Sequence, residues 1–389
     1  MSLSGCAPDL TLDPADEACL AGACGEGARL AAQLVVALGR IYGAGDLVPV
    51  GSVQVAGVSY RNLGAAGLGF LRDWAAKGAS ARVPALLNPA GIDLVAWREH
   101  GIPEAFARQQ LAVIEAYRRL GVTPSCTCTP YLVGNVPRYG EHLAWSESSA
   151  VALANSVLGA RTNREGGPSA LAAAILGKTA RYGLHLDAGR RAGMVIDVTC
   201  PLRSTADFGA LGYLVGRLAG DAVPLLRLRA CPEELLGQPD LVRSPYLPHL
   251  KGLGAAMAAS GAVALYHIAG VTPEARVQGE ALVAPGATHC TIADLAPGYA
   301  ALNTAGAEVD IVSIGCPHAS LGELAAAADL LQGRHTRTAL WITSARATIE
   351  EARRCGIAEP LERAGARLIA DTCLVVAPLQ HYGFHAVAT

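Results

Sequence analysis

Apolar residues recur at helical spacing early in the chain. Leu20, Ala23, Leu30, Leu34, Val35 and Leu38 follow a cap-forming acidic stretch at 13–16, so the first forty residues are read as a helix. The valine-rich, glycine-punctuated stretch 47–58 predicts strand and turn, and 103–120 predicts a helix that opens on Pro103 and Glu104 and stops at Gly121. From about Gly193 the texture changes. Short β-branched runs at 194–198, 223–228, 263–268, 309–314, 339–343 and 367–369 alternate with helical patterns at 206–218, 248–259, 321–331 and 344–355. That alternation predicts βαβ units, a mostly parallel sheet and the α/β class. Runs without polar alternation, such as 309–314, fit strands buried on both faces.

A chain of 389 residues is long for one core, so two or more lobes are expected, with a candidate boundary near 190–200. With 51% hydrophobic and 16% charged residues, the composition is that of a packed globule rather than a disordered chain. A net charge of −2 offers no electrostatic case for nucleic acid or an anionic membrane as partner. No apolar run approaches the roughly 20 residues of a membrane span. The opening Met1–Cys6 lacks a basic segment followed by an apolar one, so a cytoplasmic location is expected.

Eleven cysteines, an odd count, fit a disulfide framework poorly and turn attention to thiolate chemistry. Cys200, Cys231, Cys290 and Cys355 read as inert, small apolar residues. Three others differ in setting. Cys128 follows a helix in a Ser-Cys-Thr-Cys-Thr-Pro stretch, whereas Cys316 and Cys373 directly follow predicted strands. Parallel sheets gather ligand sites at the carboxyl ends of their strands, so two of these thiols can converge there. Three thiolates on an iron cluster would leave one iron open to a substrate oxygen; three unrelated buried thiols is the plain alternative. Cys126 and Cys128 form only a weak C-x-C pair.

The segment 126–167 is dense in polar residues within an apolar chain, the composition of loops that build sites. Glu141, His142, Ser148 and Ser149 place a carboxylate, an imidazole and two hydroxyls close together, a candidate catalytic group for moving a carbon-bound proton. The same stretch also reads as a helix start capped by Ser146, with Val151, Leu153, Val157 and Leu158 packing behind it. Arg161, Asn163, Arg164 and Glu165 beside glycines form a candidate anion clamp, or else a salt-bridged turn. Asn88 and His267 sit at polar strand-to-loop transitions and are candidate substrate contacts, although a lone histidine is more often a satisfied core residue. Dinucleotide, Walker, nucleophile-elbow and zincin motifs are absent.

At these knots the chain resembles the aconitase X family. The resemblance rests on Thr123-Pro-Ser-Cys-Thr-Cys-Thr-Pro-Tyr-Leu132, on Gly140-Glu-His-Leu-Ala-Trp-Ser-Glu-Ser-Ser-Ala150 with Ala160-Arg-Thr-Asn-Arg-Glu-Gly-Gly167, on Gly315-Cys-Pro-His318 and on Ala370-Asp-Thr-Cys373. It implies aconitase-like stacked α/β/α layers with mostly parallel sheets. It also implies an iron centre (a 4Fe–4S or 2Fe–2S cluster, or a mononuclear iron) on Cys128, Cys316 and Cys373, with Cys126 the alternative first ligand. The implied protein is the large catalytic subunit of a hydro-lyase acting on a small hydroxy acid, with its small swivelling domain on a separate chain. Family chains continue past a Val-Ala-Thr tail into an Asn-Ser-x-Lys-type segment, whereas this sequence stops at Thr389. Of the two substrates that the family suggests, cis-3-hydroxy-L-proline is preferred over mevalonate 5-phosphate on charge. Glu141, Glu147 or Glu165 could accept an ammonium, whereas Arg138 and Lys178 are the few extra cations for a phosphate. A non-catalytic iron-binding homologue is the further alternative.

Overall fold

The computed structural model describes residues 10–230, 233–304 and 308–389; Cys231 and the Met1–Cys6 opening lie outside the described residues. Three parallel sheets, each flanked by helices, give the layered α/β architecture that the sequence predicts. The first sheet orders Ala85–Leu87, Val53–Val55 and Ala144–Trp145, with Val53–Val55 in the centre. Beside it, Leu47–Pro49 pairs antiparallel with Lys178–Ala180. The second orders His267–Ile268, Pro224–Leu228, Ala192–Val198 and Val283–Ile292. The third orders Ala366–Ala370, Ala339–Ser344, Ile311–Ile314 and Val387–Ala388. Each sheet anchors its own apolar core.

Local chemistry explains where the elements depart from expectation. The first forty residues hold two helices, Pro14–Leu20 and Glu26–Ile41, because Gly22 and Gly25 both take positive φ between them. The helix Tyr60–Ala76 was not expected, and Gly64 interrupts its pattern with a non-helical φ of 64°. Stretch 263–268 is strand only at His267–Ile268. The ten-residue strand Val283–Ile292 was missed because Pro285 and Gly286 sit inside it. Its partner advances from Ala192 to Met194 while it advances from Val283 to Thr288, so an irregularity absorbs both residues.

What positions the functional end of the molecule is how the first and third sheets meet. Ala90, just past the strand Ala85–Leu87, bridges in parallel to Thr372, just past Ala366–Ala370, and the Ala90 N–H donates to the Asp371 carbonyl at 2.7 Å. The carboxyl ends of the two sheets therefore face each other. Gly315 follows Ile311–Ile314 with φ of 110°, and a Cβ there would stand 2.2 Å from the Thr343 carbonyl oxygen, so the entry to Cys316 admits only glycine.

A buried ion pair helps to join the first and second lobes. Arg190, 1% exposed, donates Nε to Glu274 Oε1 at 2.6 Å and Nη2 to Oε2 at 2.9 Å. Its remaining N–H groups reach Asn155 and the Leu184 carbonyl. Arg190→Met strands a buried carboxylate, and denaturant unfolding should show a loss of about 3–5 kcal/mol. Arg190→Met/Glu274→Leu should recover more than half of that loss; a double variant no better than the single one would contradict a charge-burial origin.

Candidate functional site

Three cysteine loops meet where the two sheets face each other. Cys128 and Cys373 are buried, at 7% and 8% exposure, while Cys316 reaches the surface. His318 ties the loops together. Its backbone N–H donates to Cys128 Sγ at 3.1 Å. Its Nε2 lies 3.1 Å from the Thr372 carbonyl, which can only accept, so Nε2 carries the proton. Nδ1 must then accept, and the Thr127 hydroxyl donates to it across 3.0 Å. Thr127 in turn accepts from the Thr129 N–H and hydroxyl. Burial pushes His318 down to about 4, which keeps the ring neutral and this polarity intact.

Further side chains fix the rim. Gln54, fully buried on the central strand of the first sheet, donates to the Thr127 carbonyl at 3.1 Å and accepts from the Glu147 N–H at 3.4 Å. Lys251 donates to the His318 carbonyl at 2.8 Å and pairs with Glu323, tying a second-lobe helix to the Cys316 loop. Arg346 pairs with Asp93 at 2.7 Å and with Asp371, holding Asp371 at a φ of 63° directly before Thr372 and Cys373. Gln54, Lys251 and Arg346 carried no sequence signal, because each lies far along the chain from the cysteine it supports.

The electrostatics of the three thiols depend on one another. Burial raises Cys128 well above an ordinary thiol, and Glu147, Cys373 and Cys316 add to the rise. Cys373 is pushed up to about 12 by burial, then by Cys316. Cys316 is raised by burial and by Glu147. Tyr131 Oη and Thr372 Oγ1, on these loops, and Asn88 Oδ1, just past the strand Ala85–Leu87, are buried without a partner. Among the described residues no three His, Cys, Asp or Glu side chains close around a single point as one ion would require. Three thiols on converging loops, two of them buried, beside orphaned polar atoms, nonetheless fit a cationic centre with sulfur affinity, which would take them as thiolates. Cys126 lies apart, in the first lobe's core, with φ of 45°.

The remaining candidates divide across the strand Ala144–Trp145. Glu147, Ser148 and Ser149 follow its carboxyl end, on the cysteine side. Glu147, rather than Ser146, caps the helix Ser148–Ser156: its carboxylate accepts from the Ala150 N–H at 2.7 Å, the Ser149 hydroxyl at 2.6 Å and the Ser148 hydroxyl at 3.2 Å. Glu141, His142 and Arg161 lie at the amino end, where His142 bridges to Arg161. There Glu141 accepts from the Arg138 N–H at 2.7 Å, and Arg161 pairs with Asp187 and donates to the His185 carbonyl at 3.1 Å. His142 and His185 stack, with Nδ1 atoms 2.9 Å apart.

The predicted two-arginine clamp is thereby divided: Arg161 is engaged in an ion pair, whereas Arg164 is exposed. Asn163 spends its amide on the Tyr182 carbonyl and the Leu184 N–H. Glu165 accepts from Ser169 and Thr179, and burial raises its carboxyl. His267 is a core residue that donates to the Arg190 carbonyl. Of the cysteines expected to be inert, Cys200 is buried in the second lobe, while Cys355 is exposed beside Glu351. Lys178, offered as a phosphate cation, is taken by Asp13 and Asp16.

Residues 9–188, 192–296 and 309–389 match the family models described as Aconitase X first, second and third domains. The chain is 46% identical to the phosphomevalonate dehydratase large subunit of Methanothermobacter thermautotrophicus, over 97% of this chain and 90% of that protein. It is 38% identical to the cis-3-hydroxy-L-proline dehydratase of Pseudomonas aeruginosa, over 93% of this chain and 61% of that one. The crystal structure of Thermococcus kodakaraensis aconitase X in its holo-form superposes with a TM-score of 0.86 at 43% identity, covering 97% of this chain and 92% of that one. No helix among the described residues is long and apolar enough to cross a membrane.

The histidine pair makes a pH test. Burial pushes His185 down to about 3, and His142 and Arg190 add to the effect. In the unfolded chain the ring takes a proton near 6.5, so its contribution is complete above that pH and is lost as pH falls toward the folded value. Stability should drop by roughly 1.4 kcal/mol per pH unit from this residue over that window. Urea midpoints at pH 7 and pH 5 for the parent and His185→Asn check this; equal slopes in both would contradict it.

Proposed function

This chain belongs to the aconitase X family, and on that premise we propose that it is the large subunit of a phosphomevalonate dehydratase. It is a hydro-lyase of the aconitase X type. The preference for cis-3-hydroxy-L-proline reverses on the relatives. Five phosphomevalonate dehydratase large subunits are matched over 86–91% of their length, four of them at 44–47% identity and one at 34%, whereas the two hydroxyproline dehydratases are 34–38% identical and matched over 61%. The extent of the match, together with the four higher identities, carries the reading. The pairing of Lys178 with Asp13 and Asp16 leaves the charges near the motifs no richer in free cations than the sequence suggested, so the reversal rests on the relatives and not on charge.

We assign Cys128, Cys316 and Cys373 as the holders of an iron–sulfur centre, supported by the convergence of their loops on His318 and on one another. The chemistry such a centre supplies when bound is Lewis acidity toward a hydroxyl oxygen. The chain's own residues supply the rest. Glu147 is the carboxylate beside the thiols, and the Ser148 and Ser149 hydroxyls orient it to take the proton α to the substrate carboxylate. Arg164 is exposed next to the start of the helix Gly167–Leu176, whose cap Gly166 offers no side-chain acceptor. Those first-turn N–H groups and the guanidinium together suit an anionic group of the substrate.

The relatives' designation as large subunits supports a small subunit as partner. A cleft of about 1080 Å³ opens between Val242–His249 of the second lobe and Ser320–Ala326 of the third. It begins four residues from Cys316, and we assign this face to that partner.

The chain reconstituted with its small subunit and iron should dehydrate mevalonate 5-phosphate and leave cis-3-hydroxy-L-proline unchanged. Turnover of the hydroxyproline alone would reverse the assignment, and turnover of neither would favour a non-catalytic homologue. Glu147→Gln should lower kcat by about 10²–10⁴-fold with little change in KM. Arg164→Lys should weaken substrate binding by about 1–3 kcal/mol, whereas Arg161→Lys should leave binding intact.

A further inference from the structure

A single side-chain amide touches both halves of the candidate site. Gln54 sits on Val53–Val55, the central strand of the first sheet, in register with Leu86 on one neighbouring strand and Trp145 on the other. It is fully buried, as are Val53 and Val55, whose side chains leave the strand on the opposite face. An apolar residue would satisfy the packing of such a strand. A buried amide is costly unless both of its ends are bonded.

Both ends are bonded, and each bond lands beside a functional residue. Nε2 donates to the Thr127 carbonyl at 3.1 Å, and Oε1 accepts from the Glu147 N–H at 3.4 Å. The partners fix which end is which, because a carbonyl only accepts and an N–H only donates. The Thr127 carbonyl shares a planar peptide unit with the Cys128 nitrogen, so holding that oxygen sets where Cys128 begins. On the other side, the Gln54 backbone carbonyl takes the Ser146 N–H at 3.1 Å, so two consecutive N–H groups end on this one residue. Thr127 is held in turn by its own N–H, which donates to the Leu87 carbonyl at 3.0 Å.

We propose that Gln54 is a positioning residue for the dehydration, fixing the Glu147 carboxylate relative to the Cys128 loop. The proposal rests on the reading of Glu147 as proton acceptor. The bonds that orient this carboxylate come from Ser148, Ser149 and Ala150, all on the helix Ser148–Ser156 that it caps, and they would move with that helix. Gln54 ties the helix start to the cysteine loop. A base displaced by about 1 Å from its substrate can lose about 10²-fold in rate.

The test uses the iron-loaded chain with its small subunit and mevalonate 5-phosphate. Gln54→Met keeps the side-chain length and removes both bonds. It should lower kcat by about 10²-fold, with KM within about twofold and iron content unchanged. In a Glu147→Gln background the same change should cost less than about threefold, since the group it positions is no longer a base. Gln54→Glu offers a donor and an acceptor only while its carboxyl is protonated. Its kcat should be near the parent's at about pH 6 and fall at least about tenfold by about pH 9, a loss absent from the parent. This variant decides the matter where Gln54→Met does not fold. Equal losses in both backgrounds, a loss that follows missing iron, or a Gln54→Glu profile parallel to the parent's would overturn the proposal alone. Unimpaired kcat in Glu147→Gln would remove the base reading, and this proposal with it.

Discussion

A single neutral imidazole holds the functional end of this molecule together. His318 can donate only from Nε2, because its partner there is a carbonyl, and so it must accept at Nδ1 from Thr127. That polarity joins the Cys128 loop to the Cys373 loop, and the residue's own backbone N–H closes on Cys128 Sγ. Lys251 draws the second lobe onto the same residue through its carbonyl. Protonating Nδ1 would turn it into a donor facing the Thr127 hydroxyl, whose lone pairs already accept from Thr129, so burial that keeps the ring neutral is part of the architecture. The two parallel sheets can face each other at their carboxyl ends because this chain of bonds spans the gap.

Charge then separates the two polar regions on either side of the strand Ala144–Trp145. On the cysteine side, burial raises all three thiols, Glu147 stands beside them, and the cations at the rim, Lys251 and Arg346, are already paired with Glu323 and with Asp93 and Asp371. On the other side, Arg161, Arg181 and Arg190 already have carboxylate partners in Asp187, Asp46 and Glu274. The histidines there are lowered by burial and by those arginines. The first region is short of a cation, and the second is complete. The first is the region to which we assign the metal centre.

Much of this was legible in the sequence. Cys316 and Cys373 stood out because each directly follows a β-branched run, and the strands that precede them formed as read. The mostly parallel α/β architecture followed from strands alternating with helices. Three things could not be read. The strand Val283–Ile292 was hidden by Pro285 and Gly286, whose accommodation needs a partner strand that the sequence does not reveal. The supports Gln54, Lys251 and Arg346 act across large sequence separations, so no local pattern marks them. Residues 141–149 read as one cluster, yet the two-residue strand between them carries Glu141 and His142 to one end and Glu147 to the other. Closeness in sequence along a strand means separation in space, at about 3.3 Å per residue.

The central claim, that Cys128, Cys316 and Cys373 together hold iron, is most directly tested by the iron and sulfide content of anaerobically reconstituted single Cys→Ser variants, with their visible spectra. Serine is a poor ligand for a soft site, so each of the three changes should remove most of the bound iron and the accompanying absorption, while Cys126→Ser and Cys290→Ser should retain both. Full iron in Cys316→Ser, or its loss in Cys290→Ser, would contradict the account.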